Sequence, residues 1–377
     1  ITVAGWISLI AVVLFGTLGR KIGAKNVSMI GLVGSAVGFI ILATMNSFAM
    51  FAVGVIVFYF CMVAYATIGV GMLGSAWFPR TKGSFMGIAT IGTTFCSAAM
   101  NPIILGFVGA GLGVSGFFWA CAIVLLVMAV IVFFFVKNNP EEAGAYPDND
   151  KSVSREELEA EFKEAEEYKK HSPWTTAKVL KTPQTWLIGF GTGLPMMVGA
   201  GVIAILVPTL IGFGQDPMFG ILLLSSMWPI GLLGHYLIGV IDHKIGTKKT
   251  ALVVISILGL GGLITFVGGH EAAACAVSTG MFMFGLSGSL NVCTSLTVSI
   301  FGRADFEIAY TPIQVMFNIF NFAGVSVMSM VAAAFGPTYV MLAVFIICVV
   351  AFAIMMALPY RQIGSKIHGD EEVANAQ

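Results

Sequence analysis

The sequence predicts an all-α polytopic membrane protein made of two repeated helical halves, and three observations carry that prediction. The first is composition: of 377 residues 58% are hydrophobic and 10% charged, where a soluble domain carries about 25% charged residues. With a mean hydropathy of +0.94 there is too little polar surface to clothe a water-soluble chain of this length, so lipid is the implied solvent. The second is the distribution of basic residues between apolar runs. The third is a loop motif that occurs twice in the same register.

A hydrocarbon core about 30 Å thick takes about 20 apolar residues per helix. Eleven runs of that order follow one another, over 2–18, 27–47, 50–75, 83–109, 115–136, 184–213, 217–240, 250–269, 272–300, 308–335 and 338–358. They are continuous rather than alternating, which excludes a β-barrel. All 19 Lys and Arg fall in 19–26, 78–82, 137–182, 242–249, 301–307 and the tail after 358. The turns between, near Asn46, Gly111, Asp216, His270 and Gly336, have none. The positive-inside rule therefore puts the basic segments and the C-terminal tail in the cytoplasm and Ile1 outside. The expected organisation is a helical half over 1–136, a cytoplasmic central loop over 137–182, a second half over 183–358 and a cytoplasmic tail over 359–377. Within the loop Ser154-Arg155-Glu156-Glu157 forms a capping box ahead of Leu158, Phe162 and Ala165, predicting a surface helix over about 155–170.

The repeated motif reads Gly16-x-x-x-Arg20-Lys21-Ile22-Gly23-Ala24-Lys25 and Gly239-x-x-x-His243-Lys244-Ile245-Gly246-Thr247-Lys248. Glycine allows close helix packing at the first position and a sharp turn at Gly23 and Gly246. The lysines suit helix C-termini or lipid phosphates. Internal duplication follows. A counterpart of the helix starting near 184 falls ahead of Ile1, so the reading is a twelve-helix bundle whose first helix is absent from this chain, with Ile1 at an interior cut.

These loops resemble the signature of the major facilitator superfamily, G-x-x-x-D-R-x-G-R-R, between its second and third and its eighth and ninth helices. The acidic position is Arg20 in the first copy and His243 in the second, with Asp242 one residue early; in that family the acid helps latch the halves. Trp77-Phe78-Pro79-Arg80-Thr81-Lys82-Gly83 and Phe301-Gly302-Arg303 are similar to loops of its oxalate:formate-antiporter and monocarboxylate-transporter-like branch. The resemblance implies two six-helix halves related by a pseudo-two-fold axis, and alternating-access exchange or proton-coupled symport of a small solute, a small organic anion through the branch. It implies a bacterial inner-membrane protein and gating loops at Gly16, Lys21, Gly23, Lys25, Arg80, Lys82, Gly239, Asp242, Lys244, Gly246, Lys248 and Arg303. By depth in the family's fold it also points to Tyr59, Tyr65, Met196, Met197, Ser225, Ser226, Trp228, Ser287 and Asn291 as cavity residues.

All 19 acidic residues also fall outside the apolar runs, which leaves the pathway without carboxylate, lysine or arginine, although such charges usually mark transport sites. Polar side chains recur on helix faces instead. Thr311, Gln314, Asn318 and Asn321 share one face, and Thr90, Thr93 or Thr94, Ser97 and Asn101 share another in an equivalent run. They read as a shared cavity or as interhelical glue. His235 is the ionisable group within a run, either a proton relay or a hydrogen-bonded histidine near the cytoplasmic end. Gly285-Leu286-Ser287-Gly288 matches an intramembrane protease motif, which would need His235 beside Ser287. The six cysteines lie in apolar runs without a C-x-x-C pair, predicting no metal site, and no cofactor is expected. Zero net charge gives no call for nucleic acid. The expected partners are a small-molecule substrate and the lipid bilayer, with the chain monomeric. A solute receptor or scaffold that binds without translocating is the rival reading.

Overall fold

The computed structural model describes residues 2–78, 81–149, 163, 167–168 and 171–364, and every regular element among them is helical. The chain runs through α1 Thr2–Ala43, α2 Phe48–Val63, a π-helical turn Ala64–Gly69, α3 Val70–Trp77, α4 Lys82–Gly109 and α5 Gly113–Phe135. After the central segment come α6 Thr176–Lys181, α7 Pro183–Gly212, α8 Pro217–Ser226, α9 Trp228–Ile245, α10 Thr247–Gly268, α11 Ala272–Phe335 and α12 Tyr339–Ala357. The predicted surface helix over 155–170 lies almost entirely outside the described residues.

Local chemistry sets the boundaries. Ser47 caps α2 by accepting from the Met50 amide at 3.3 Å, and Asp216 caps α8 by accepting from Met218 and Phe219, with Pro217 filling the first turn, where no N–H partner is required. Two long helices are broken by glycines whose backbone no other residue adopts cheaply. Gly23 has φ 85° and ψ 158° in α1, and Gly302 has φ 72° and ψ 173° in α11. The break in α1 separates the apolar runs 2–18 and 27–47; that in α11 separates 272–300 and 308–335. The run over 217–240 is interrupted at Met227, ahead of Pro229, which divides α8 from α9.

Among the described residues nine helices are long and apolar enough to cross a membrane, with α1 counted once despite its break and α4 outside the count. Outward-facing side chains are apolar to an extent that water does not permit: Phe135 is 79%, Val267 74%, Met330 71% and Phe335 70% exposed. The protein is an integral membrane protein of this helical type.

Packing forms two cores. One collects residues of α7, α9, α10, α11 and α12, among them Ile188, Leu206, Leu258, Phe282 and Val344. The other collects Val12, Phe15, Val27, Val63, Ile68 and Met72 from α1 to α3, and it also takes in Val298, Phe306 and Tyr310 of α11. The bend of α11 is therefore shared between both helix groups. Asp242 and Asp305 lie within helices, 7% and 1% exposed, because α9 and the second arm of α11 run past the apolar runs into the basic segments.

Candidate functional site

Two crossings join the α1–α5 group to the α7–α12 group. In the first, the arm of α1 before Gly23 crosses the arm of α11 after Gly302. Gly16 lies against the Thr311 side chain, in direct contact with where a Cβ would stand. One turn away in space, Gly71 faces the Tyr310 ring, 2.6 Å from Cε1 to a Cβ built on the glycine. The Tyr310 hydroxyl lies 3.3 Å from Thr294 Oγ1 and donates at 3.3 Å to the Thr67 carbonyl.

In the second crossing α4 meets α9. A Cβ on Gly87 would sit 2.5 Å from the His235 carbonyl oxygen and 3.5 Å from the Gly239 Cα, so the two backbones touch. Above this contact Thr90 Oγ1 lies 2.7 Å from His235 Nδ1, 3.0 Å from Asn291 Oδ1 and 2.7 Å from the Met86 carbonyl. The three side chains are buried, at 4%, 6% and 2% exposure. A hydroxyl has one hydrogen to give. The Met86 carbonyl and Asn291 Oδ1 are acceptors, so the node is satisfied best when His235 Nδ1 carries hydrogen and donates to Thr90. The Asn291 amide nitrogen is buried with no partner among the described residues, at a cost of roughly 1–3 kcal/mol.

The glycines of the two motif copies play matching parts. Gly16 and Gly239 each supply a crossing, and Gly23 and Gly246 share one backbone conformation, φ 85° with ψ 158° and φ 84° with ψ 152°. Lys248 donates to the terminal carbonyls Met356 and Leu358 of α12 at 3.0 and 2.8 Å, and Lys25 lies over the Phe133 ring. Lys21 and Lys244 are exposed. Arg80 lies outside the described residues, as do the side chains of Lys82 and Arg303.

The central segment grips both groups. Asn138 accepts from the Lys25 amide at 2.9 Å, and Asp148 accepts from the Thr81 amide and hydroxyl at 2.9 and 2.6 Å. At its far end Tyr168 and Ser172 donate to Asp305 at 3.0 and 2.6 Å, and Trp174 packs edge-on against Phe301.

The remaining sequence candidates separate by environment. Gln314 is fully buried and linked to Asn318, whose amide donates to the Gln314 carbonyl at 2.9 Å; Asn321 is half-buried on the same helix. Ser287 spends its hydroxyl on Gly231 and Met283 carbonyls, and His235 is engaged with Thr90, so no serine–histidine pair forms. Tyr59 and Tyr65 are half-buried, Tyr65 packing on Gly31. Ser225 and Trp228 are exposed at the break between α8 and α9, away from the node. The side chains of Thr93, Ser97 and Asn101 lie outside the described residues. A small cavity bounded by Thr192, Pro195, Ile255 and Ser289 lies inside the second group and contains none of the candidates. Sequence reading did not single out Tyr310, Gly71 or the π turn, and it met Gly87 only within Met86-Gly87-Ile88, which follows the branch-like loop 77–83; the Trp228-Pro229 pair was the available signal for the break in 217–240.

The profile of the Major Facilitator Superfamily matches residues 1–300. The chain belongs to this superfamily, whose members are transporters and not enzymes. No curated protein sequence matches it. Solved structures share its fold. The proton:xylose symporter XylE, with bound 6-bromo-6-deoxy-D-glucose, aligns with a TM-score of 0.78 at 14% identity, covering 98% of this chain and 87% of that one. The E. coli fucose:proton symporter FucP aligns at 0.72 and 15% identity over 94% and 88% of the two chains. The human organic anion transporter TETRAN aligns at 0.72 and 11% identity over 94% and 82%.

Proposed function

We propose that this superfamily transporter moves a small organic anion by alternating access, its eleven apolar runs forming two halves, 1–136 and 183–358, that rock about a central site. The observation that carries the reading is the Thr90–His235–Asn291 node. It is a buried polar contact between the helix groups in an otherwise neutral interface, and it leaves one amide donor unused beside a histidine. An unused N–H at such a crossing suits an acceptor oxygen of a solute, a carboxylate above all, because binding there would satisfy a group that folding leaves unpaired. Gln314, Asn318 and Asn321 extend the polar lining along α11.

Counterflow in proteoliposomes tests this. Vesicles loaded with a panel of mono- and dicarboxylates should accumulate the matching labelled anion, and Asn291→Leu should cut the initial rate at least tenfold. A ligand that binds the purified protein yet shows no exchange or uptake would instead support a receptor that binds without translocating. A second reading, proton-coupled uptake of a neutral solute, draws on His235 as the titratable member of the node; sugar uptake driven by an inward proton gradient, with no carboxylate exchange, would favour it.

A further inference from the structure

We infer that Tyr310, backed by Phe306, is the gate that seals the basic-loop face between the two helix groups, and that it closes on the π turn Ala64–Gly69. The inference rests on the alternating-access reading. The two rings stack with centroids 4.5 Å apart and are 1% and 0% exposed. They belong by sequence to the second group, yet they sit with Val298 in the core of the first, among Val12, Phe15, Val63, Ile68 and Met72. Side chains held across a boundary in this way must leave one core when the groups part.

The receiving surface is shaped for the ring. Gly71 gives it room, since a Cβ there would stand 2.6 Å from Cε1 and 2.7 Å from Cζ and Oη of Tyr310. The π turn lies just before, and such turns widen the backbone ladder and recur where function needs a carbonyl turned aside. Thr67, within that turn, offers its carbonyl to the Tyr310 hydroxyl at 3.3 Å. Gly302, with φ 72°, supplies the joint about which the arm carrying both rings departs from the rest of α11. Thr311, the next residue, meets Gly16, so the motif glycine and the ring close together. Loop 19–26 contains no carboxylate, and the contacts named here are made by two stacked rings and the side chain of Thr311.

The test is the separation between spin labels at Lys21→Cys and Lys244→Cys, both exposed on this face, in the full chain with its six cysteines replaced. Overpacking of a closed contact moves an equilibrium by roughly ten- to a hundredfold. Gly71→Val should raise the population with the longer separation by at least tenfold, and Tyr310→Ala should do the same by removing the plug. Tyr310→Phe, which keeps the ring and loses the hydroxyl, should raise it about threefold. Gly92→Ala, where a Cβ meets nothing within 4 Å, should leave it unchanged. Unchanged separations in both Gly71→Val and Tyr310→Ala, in protein that stays monodisperse, would overturn the gate; so would equal opening by Gly92→Ala. Uptake is measured on the same preparations: shifted separations without uptake in any variant count against the transport reading and leave the gate standing, while uptake with unshifted separations removes the gate alone.

Discussion

The two crossings between the helix groups share a plan and differ in chemistry. Gly16 on α1 and Gly239 on α9 occupy the same position of the repeated motif, and each lets its helix approach one of the other group, α11 and α4. At the α1–α11 crossing Gly16 meets the Thr311 side chain, and beside it Tyr310, stacked on Phe306, lies against Gly71. At the α4–α9 crossing the helices come close enough for Gly87 to touch the His235 carbonyl, and the neighbouring positions carry Thr90, His235 and Asn291. An apolar contact is strong but indifferent to protons and solutes. A buried node with one hydroxyl hydrogen and several acceptors responds to either, because a proton on histidine or an acceptor beside the amide changes how many of its groups are satisfied. On the alternating-access proposal the matching glycines give two joints, of which the first holds the closed state and the second senses.

The largest expected effect breaks the sensing joint outright. In Gly87→Val the added carbons would meet the His235 backbone oxygen, 2.5 Å from Cβ alone, and backbone cannot turn aside as a side chain can. The helices must separate, carrying Thr90 away from both partners. Uptake should fall at least a hundredfold at normal membrane abundance, while Gly92→Ala on the same helix stays within twofold; comparable uptake in the two would show that the α4–α9 approach has no part in the cycle.

Thr90→Val comes next, since it keeps the shape and deletes the hydroxyl. It leaves Asn291 Oδ1 and one imidazole nitrogen without their Thr90 contacts, worth roughly 1–3 kcal/mol each when buried. Initial rates should drop about tenfold and recover to within threefold in Thr90→Ser. A valine variant with full activity would reduce the node to packing.

How much of this was legible in the sequence follows from the range of the forces involved. Lipid-exposed length and loop charge are properties of single segments, so the apolar runs and the turns at Gly23 and Gly246 could be read from short windows. The polar faces could also be read, because helical spacing places Thr311, Gln314 and Asn318 together. What met what across the interface could not. Tyr310 reads as one more aromatic residue until Gly71, distant in sequence, is set beneath it, and the π turn over Ala64–Gly69 has no residue signature, being apolar and glycine-bounded like its flanks. The expectation of a place close to the cytoplasmic end followed from the run over 217–240; in the structure His235 lies in the middle of α9, Trp228–Ile245. Its burial against Thr90 depends on Gly87, and nothing in the local sequence pairs that glycine with the His235 backbone.

His235→Gln sharpens the comparison without breaking it. Glutamine can keep one donor and one acceptor in the node but does not titrate. If uptake is proton-driven through His235, the rate should fall as pH rises, because the protonated form is the one that carries. The glutamine variant should lose that slope while retaining some exchange. A slope of equal steepness in both proteins would place the proton elsewhere and leave the node to read the solute alone.

The smallest effect should come from Gly16→Ala at the holding joint. The obstacle there is the Thr311 side chain rather than a backbone, and because its Oγ1, Cγ2 and Cβ all face the glycine, relief comes from a small shift between the two arms. The Thr311 hydroxyl now reaches toward the Glu307 carbonyl at 3.4 Å, a weak attachment to give up. The cost should be about 1 kcal/mol, the scale of an off-minimum side chain with mild overpacking, seen as a shift of a few degrees in the thermal unfolding of the solubilised protein and less than threefold in uptake. Gly16→Ala as damaging as Gly87→Val would mean that the two joints are equivalent in rigidity, and that the chemical difference between them does not divide holding from sensing.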